Sequence, residues 1–192
     1  GSVTARPCAG NPRPRLWRLP KSQSLLVYYG LKNNGVDALI ARMRGAQYDI
    51  PIGVNIARTN IPETVSEEAG IADYLYSYRR LTEASVGDYY TINISCPNTC
   101  GGEPFTDPAK LDRLLGTLCT IRQHKPLFLK LSPELSPETL DGIISIVGKY
   151  PIAGFICTNL AKDRSNPALK ESSIPDTGGM SGKVVQGLSD AQ

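Results

Sequence analysis

The sequence has 192 residues, a net charge of +3 at pH 7, and hydrophobic and charged fractions of 41% and 20%. These values are typical of one soluble globular domain, and so mild a charge excludes the strongly basic footprint of a nucleic-acid-binding protein. No stretch of the chain is apolar enough for a membrane span, and the N-terminus has no secretory signal pattern.

The chain contains five cysteines, an odd number, spread from one end to the other. They are Cys8, Cys96, Cys100, Cys119 and Cys157. This scatter does not suit a disulfide framework, so we expect a reducing compartment such as the cytosol.

The first twenty residues contain four prolines and are predicted to be extended and rich in turns. After residue 50, short apolar runs alternate with segments of helical periodicity, which is typical of βα units around a parallel sheet. The predicted strands are residues 51–57, 89–95, 126–132 and 153–159. A helix is predicted over 36–45, and the polar segment 163–177 is predicted to be a loop.

Two further helices are predicted from their caps and from apolar residues at i, i+3, i+4 and i+7. The first begins after Asp107 and Pro108, and its apolar positions are Leu111, Leu114, Leu115 and Leu118. The second begins after Ser136 and Pro137, and its apolar positions are Leu140, Ile143, Ile144 and Val147.

Three of the predicted strands carry one polar residue between two apolar neighbours: Asn55, Asn93 and Lys130. Strand alternation points these polar side chains away from their apolar neighbours, toward the interior of a parallel barrel near the strand ends. A single buried asparagine often caps a nearby loop, but three strands with the same feature favour a shared site. Lys130 is the strongest indicator, because a buried ammonium is costly without an anion or an electron-rich ligand.

The most specific string is Asn-Ile-Ser-Cys-Pro-Asn-Thr at residues 93–99, followed by Gly101 and Gly102. It resembles the catalytic-loop motif of dihydroorotate dehydrogenases, flavin enzymes that oxidise dihydroorotate to orotate in pyrimidine synthesis. Other matching stretches follow in the family's order over nearly the whole chain. They are residues 2–4, 6–7, 10–19, 53–56, 129–133, 158–159, 163–164 and 177–182.

The resemblance implies a (β/α)8 TIM barrel that binds FMN. Cys96 matches the base that removes a proton from C5 of dihydroorotate while a hydride leaves C6 for the flavin. A thiol can do this only as thiolate, so we expect nearby positive charge or hydrogen bonds to bring its pKa toward neutrality. Thr99 matches a residue that relays the proton, although its hydroxyl could equally stabilise the turn. Lys130 matches the lysine that stabilises negative charge on the reduced flavin.

The resemblance also implies the ligand contacts. The residues that match flavin contacts are Ser2, Asn55, Asn93, Lys130, Thr158 and Gly182. The residues that match contacts to the pyrimidine are Gly30, Leu31, Asn93, Asn98 and Asn159. Amides suit this substrate because they offer both a donor and an acceptor to its alternating N–H and C=O edge.

Two departures from the family pattern bear on the electron acceptor and on the substrate. Quinone-linked members usually have serine as the base, whereas fumarate- or NAD-linked members have cysteine; the flanking segments here nevertheless look like the quinone-linked class, which we favour. Val27 replaces an asparagine that usually binds orotate, and the lost amide costs about 1–3 kcal/mol unless Tyr28, Tyr29 or water replaces it. A related pyrimidine-oxidising flavoenzyme is therefore an alternative.

The family's first strand and its last two strands, which hold the flavin phosphate, have no counterpart in the sequence. We therefore expect residues 1–192 to be an incomplete FMN-binding barrel domain, with 1–35 as an extended segment on the substrate side and 36–192 as βα units. A region outside the chain that binds quinone would make the cytoplasmic protein peripherally membrane-associated. A homodimer is left open.

Three other interpretations use the same residues. A Schiff-base aldolase would use Lys130 as nucleophile, but it would not need the Cys96 loop. A zinc site could use Cys96, Cys100 and His124, but no second close pair of ligands supports it, and no metal is expected. The arginine-rich stretch 13–18 could contact nucleic acid, but a solvated, proline-stiffened arm packing one tryptophan explains it better, and no nucleic-acid partner is expected.

Overall fold

The computed structural model describes all 192 residues. In chain order the strands are β1 (Leu16–Leu19), β2 (Ser24–Val27), β3 (Gly53–Ile56), β4 (Tyr89–Asn93), β5 (Leu127–Lys130), β6 (Gly154–Ile156) and β7 (Gly179–Gly182). The α-helices are α1 (Val36–Met43), α2 (Glu67–Ala84), α3 (Pro108–Leu118), α4 (Pro137–Val147) and α5 (Lys183–Asp190).

The centre of the protein is a parallel sheet of four strands in the order β3-β4-β5-β6. Val3 adds a parallel bridge at the outer edge of β3, where its N–H donates to the Asn55 carbonyl at 2.8 Å. The strands follow one another in the sequence and a helix lies in each connection, which is the arrangement of a barrel wall. All four predicted strands are confirmed, each shorter than predicted by two to four residues.

The helices cover the apolar face of the sheet and form the main core of 22 buried residues with it. Asp107 caps α3 by accepting from the Lys110 N–H at 3.0 Å, and all four predicted leucines of α3 are fully buried. Ser136 caps α4 in the same way. The predicted apolar stripe of α4 is too wide, however, because Ile144 is 49% exposed at the helix surface.

The longest helix, α2, is not among the predicted elements. Ser66 caps its first turn by accepting from the Ala69 N–H at 3.3 Å, and its buried face consists largely of Tyr74, Tyr78 and Leu81. Tyr78 packs edge-on against Tyr90 of β4 with ring centroids 5.6 Å apart. Aromatic rings therefore fill the role that leucines have in α3.

A second sheet has three antiparallel strands in the order β1-β2-β7. It adds strand pairing to the extended segment predicted over residues 1–35: β1 and β2 form a hairpin that pairs with a strand from the far end of the chain. Its inner face has a small core of Leu19, Leu26, Met180 and Val184. Residues 163–177, the predicted loop, contain no helix or strand.

Candidate functional site

The polar residues of the parallel strands lie together, as their positions in the sequence predict. Asn93 of β4 stands beside Lys130 of β5 in register, and both follow apolar residues that belong to the main core. Alternation places the core residues under the helices, so Asn93 and Lys130 lie on the opposite face of the sheet. Both are at the carboxyl ends of their strands, where α/β barrels bind ligands.

A hydrogen-bonded chain of side chains crosses these strand ends. Ser2 Oγ donates to Asn55 Oδ1 at 2.5 Å and accepts from Asn93 Nδ2 at 3.0 Å. Asn159 Nδ2 in turn donates to Asn93 Oδ1 at 3.3 Å and to Ser95 Oγ at 3.1 Å. Four predicted ligand contacts from separate parts of the sequence are therefore brought into one network, which fixes the orientation of each amide.

Lys130 is a half-buried cation that none of the four ion pairs of the protein includes. Burial lowers the pKa of its ammonium, and the neighbouring Cys96 partly offsets this effect. A desolvated cation without a carboxylate partner is costly, so its position favours an anionic or electron-rich ligand over a structural ion pair.

Cys96 follows β4 and lies close enough to Lys130 for each group to shift the pKa of the other. Burial raises the pKa of the Cys96 thiol above its ordinary value; the Asn98 backbone N–H, Lys130 and Lys162 act in the opposite direction. The expectation of a pKa near neutrality is therefore wrong for this structure, because desolvation outweighs the nearby cations.

Residues 96–102 form a compact loop after β4, hereafter the cysteine loop. Thr99 Oγ1 donates to the Cys96 carbonyl at 3.0 Å and has the Gly102 carbonyl within 3.2 Å. Its hydroxyl therefore stabilises the turn, while its predicted part in proton relay stays a prediction. Asn98 Nδ2 donates to the Val27 carbonyl at 3.0 Å, which joins the loop to the end of β2.

Gly30 and Leu31 approach the cysteine loop from the segment after β2, and both have left-handed backbone conformations with φ of 62° and 59°. A Cβ on Gly30 would lie 2.3 Å from Asn11 Oδ1, so only glycine fits. A bulky residue at positive φ is strained, which marks Leu31 as a residue held in place by its surroundings. Leu31 and Cys96 line the same narrow cavity.

Two predicted flavin contacts, Thr158 and Gly182, are engaged with other parts of the chain. The Thr158 hydroxyl lies 2.6 Å from the hydroxyl of Ser189 in α5. Gly182 has φ of 80°, and a Cβ there would lie 2.8 Å from the Gln23 carbonyl. The absence of a side chain at Gly182 is therefore required by the hairpin, a reason that the sequence does not reveal.

A cavity of about 560 Å³ lies above the cysteine loop. Asn98, Thr99 and Cys100 form one side of it, and Lys162 and Arg164 line it as well. Arg164 Nη2 donates to the carbonyl of Gly178, another lining residue, at 2.8 Å. The cavity is large enough for a small heterocycle, and its charged lining residues are Lys162, Arg164 and Asp176.

Two residues next to the loop, Arg58 and Asn60, are not among the predicted site residues. Both follow β3, and both contact the backbone of Cys100. Both lie beyond the end of the strand, so the alternation of apolar and polar residues that marks Asn55 does not mark them.

No three side chains of histidine, cysteine, aspartate or glutamate are placed to hold a metal ion. The alternative zinc site is therefore not formed: Cys96 and Cys100 lie after the carboxyl end of β4, whereas His124 precedes β5. No helix of the protein combines the length and apolar character needed to cross a membrane.

These features define a barrel-type α/β protein whose candidate ligand site consists of amides, a lysine and a cysteine at the carboxyl ends of parallel strands. Comparison with known proteins agrees with this class. The family model for dihydroorotate dehydrogenase matches residues 1–190. The chain belongs to the dihydroorotate dehydrogenase family.

Several relatives carry the name dihydroorotate dehydrogenase (quinone). The protein from Gloeobacter violaceus is 38% identical over 190 residues, which are 98% of this chain and 52% of the relative. The protein from a Cyanothece strain is 40% identical over 196 residues, covering 100% of this chain and 50% of the relative. The chain thus spans about half the length of these relatives.

A solved structure has the same fold. The crystal structure of ligand-free DHODH from Eimeria tenella superposes with a TM-score of 0.86 at 25% identity, covering 100% of this chain and 58% of that one. The partial TIM-barrel architecture predicted from the sequence is therefore confirmed.

Proposed function

We propose that this chain forms the substrate-oxidising part of an FMN-dependent dihydroorotate dehydrogenase that converts dihydroorotate to orotate in pyrimidine biosynthesis. The observation that carries the proposal is the pairing of Cys96 with Lys130 beside the amide network of Ser2, Asn55 and Asn93. Membership of the family supports this assignment of the site.

The residues present fit the ring of FMN. Lys130 offers a desolvated cation with no carboxylate partner, and Asn55 and Asn93 offer amide groups on the same face of the sheet. When bound, FMN would accept a hydride from C6 of the substrate. Ser2, Thr158 and Gly182 are proposed as further contacts by their match to the family.

In this proposal the residues of the chain bind the pyrimidine and transfer one proton. Asn93, Asn98 and Asn159 would pair with the N–H and C=O edge of the ring, with Gly30 and Leu31 opposite. Cys96 would take the proton from C5, and Thr99 would pass it on. Because burial raises the pKa of the Cys96 thiol, the reaction would begin from the small fraction of protein in which the thiol is ionised.

We propose quinone as the electron acceptor. Support comes from the relatives at 38–40% identity, whose names specify quinone even though this chain has cysteine as the base. Fumarate and NAD are the alternatives to exclude. Peripheral membrane association through a quinone-binding region, and assembly into a homodimer, stay predictions.

Family membership and the cysteine loop also favour this function over a Schiff-base aldolase. The lowered pKa of Lys130 would suit an aldolase nucleophile as well. An aldolase, however, has no use for a thiol beside that lysine or for an amide network aimed at the same space.

The test uses the full-length parent protein, purified with its flavin and assayed for dihydroorotate oxidation with quinone, fumarate and NAD separately. Turnover with quinone is expected, and activity with none of the three would refute the proposal. Cys96→Ala should abolish turnover and retain flavin absorbance. Cys119→Ala is the matched control, because Cys119 is also partly buried but ends α3, away from the strand ends. Equal activity of the two variants would show that Cys96 is not the base.

A further inference from the structure

The segment that follows β3 is hydrogen-bonded to the cysteine loop. Asn60 Oδ1 accepts from the Cys100 N–H at 2.8 Å. Arg58 Nη2 donates to the Cys100 carbonyl. Both polar groups of one peptide residue are therefore bound by side chains from a neighbouring strand end.

The second end of the Asn60 amide reaches a different segment. Its Nδ2 donates to the Gly30 carbonyl at 3.1 Å. Asn60 thus connects the cysteine loop to Gly30 and Leu31, the two residues proposed to lie opposite it across the substrate. One planar amide of fixed length links the two sides of the proposed substrate space.

Asn60 is itself anchored firmly. Its neighbour Thr59 donates to Asp73 of α2 through both its N–H, at 2.8 Å, and its hydroxyl, at 2.7 Å. Arg58 also donates to the Thr64 carbonyl at 3.0 Å. Arg58 and Asp73 are only 5% and 7% exposed. Burying two charges at this place is costly, and the bonds that they make give the segment a single geometry.

We propose that Asn60 is a positioning residue that sets the separation between the Cys96 base and the Gly30–Leu31 side of the substrate site. This inference rests on the proposed function. Without the amide, the loop would lose its link to Gly30 and one of its two bonds at Cys100. The Asn98 N–H, which favours the ionised form of Cys96, belongs to the same loop, so a displacement of the loop would weaken that interaction and raise the pKa of the thiol.

The test compares Asn60→Ala with Gln123→Ala in the flavin-loaded full-length parent. Gln123 is a matched control because it is also half-buried and its amide also binds two backbone groups, the N–H and C=O of Lys125, at 2.7 and 2.5 Å. It lies before β5, at the opposite end of the sheet. If the loss of two side-chain hydrogen bonds were all that mattered, both variants would be affected alike.

We expect kcat/KM for dihydroorotate to fall about 10- to 100-fold in Asn60→Ala, since small displacements of a reacting group have effects of this size. We also expect the pH profile of flavin reduction in Asn60→Ala to shift to higher pH. A purely structural change would leave that profile unchanged. Flavin content and Tm should match those of Gln123→Ala. If Asn60→Ala does not fold, Asn60→Ser is measured in the same way.

Kinetics equal to those of Gln123→Ala, or a rate loss with an unshifted pH profile, would overturn the inference. Hydrogen exchange separates this outcome from failure of the proposed function. Peptides covering residues 30–31 and 96–102 should exchange faster in the Asn60 variant whether or not the parent turns over dihydroorotate, and unchanged exchange would refute the positioning role by itself. An inactive parent would refute the proposed function.

Discussion

On the proposed mechanism, the rate of dihydroorotate oxidation should rise steeply with pH, because Cys96 would have to lose its proton before it could act as the base. A thiol with the ordinary pKa of 9.0 is ionised to only about 1% at pH 7, and burial raises the pKa of Cys96 above that value. The thiolate fraction therefore grows about tenfold for each pH unit below the pKa. We expect the rate to follow it from pH 6 to pH 8.

The assay is anaerobic stopped-flow reduction of the flavin by dihydroorotate, which reports the proton and hydride transfers without the acceptor. Lys130→Met should move the rising limb to higher pH, because the ammonium lowers the pKa of Cys96; Lys162→Met should do the same to a smaller degree. Lys125→Met is the control, since Lys125 Nζ donates to the Gly87 carbonyl before β4, far along the sheet from Cys96. A flat profile from pH 6 to pH 9, or an acidic shift in Lys130→Met, would refute the reasoning.

Two further substitutions test the substrate site and its support. Val27→Asn restores the amide usual in the family beside Asn98, and should lower KM for dihydroorotate about tenfold, the equivalent of one good hydrogen bond; an unchanged or higher KM would contradict this. Tyr74→Phe removes the buried hydroxyl that donates to the Asn93 carbonyl at 2.7 Å, and should lower the free energy of unfolding in urea by about 1–2 kcal/mol. Tyr76 lies on the exposed face of the same helix, where its hydroxyl donates to Asp37 at 2.9 Å. Tyr76→Phe should therefore lower the free energy of unfolding much less, and equal decreases in the two variants would show that burial of the hydrogen bond is unimportant.

The sequence predicts the parallel strands well because each is a short apolar run with one polar residue. That polar residue also predicts the site, since Asn55, Asn93 and Lys130 do lie on one face of the sheet. The capped leucine helix α3 is equally clear. In these segments local pattern and tertiary packing point to the same structure.

The missed elements are those in which local pattern and packing disagree. Helix α2 has no leucine stripe, because tyrosines that can also face water fill its buried positions. The β1–β2 hairpin turns through Gln23 at φ of 49°, where glycine or asparagine is the usual signal. Strand β7 contains two glycines, which are unusual in strands. It pairs with β2, where Val27 and Gly179 are 152 residues apart in the sequence, so no local sequence pattern predicts this pairing.

The candidate site likewise has features that the sequence predicts and features that depend on the finished fold. The pKa of Cys96 is misjudged from the sequence because nearby cations can be anticipated, whereas the depth of burial depends on the finished fold. Asn60 is missed because its partners, Gly30 and Cys100, are a turn glycine and a backbone amide, and neither is marked by residue type.

The distant pairing of β2 with β7 constrains the order in which the protein can assemble. The strands β3 to β6 are complete once residue 156 has been made, but the hairpin receives its third strand only after residues 179–182 leave the ribosome. Closing a loop of this length is slow relative to forming neighbouring βα units. A nascent chain would therefore carry a formed barrel wall while β2 still has one unpaired edge, and Leu19 and Leu26 would lack Met180 and Val184, their partners in the small core.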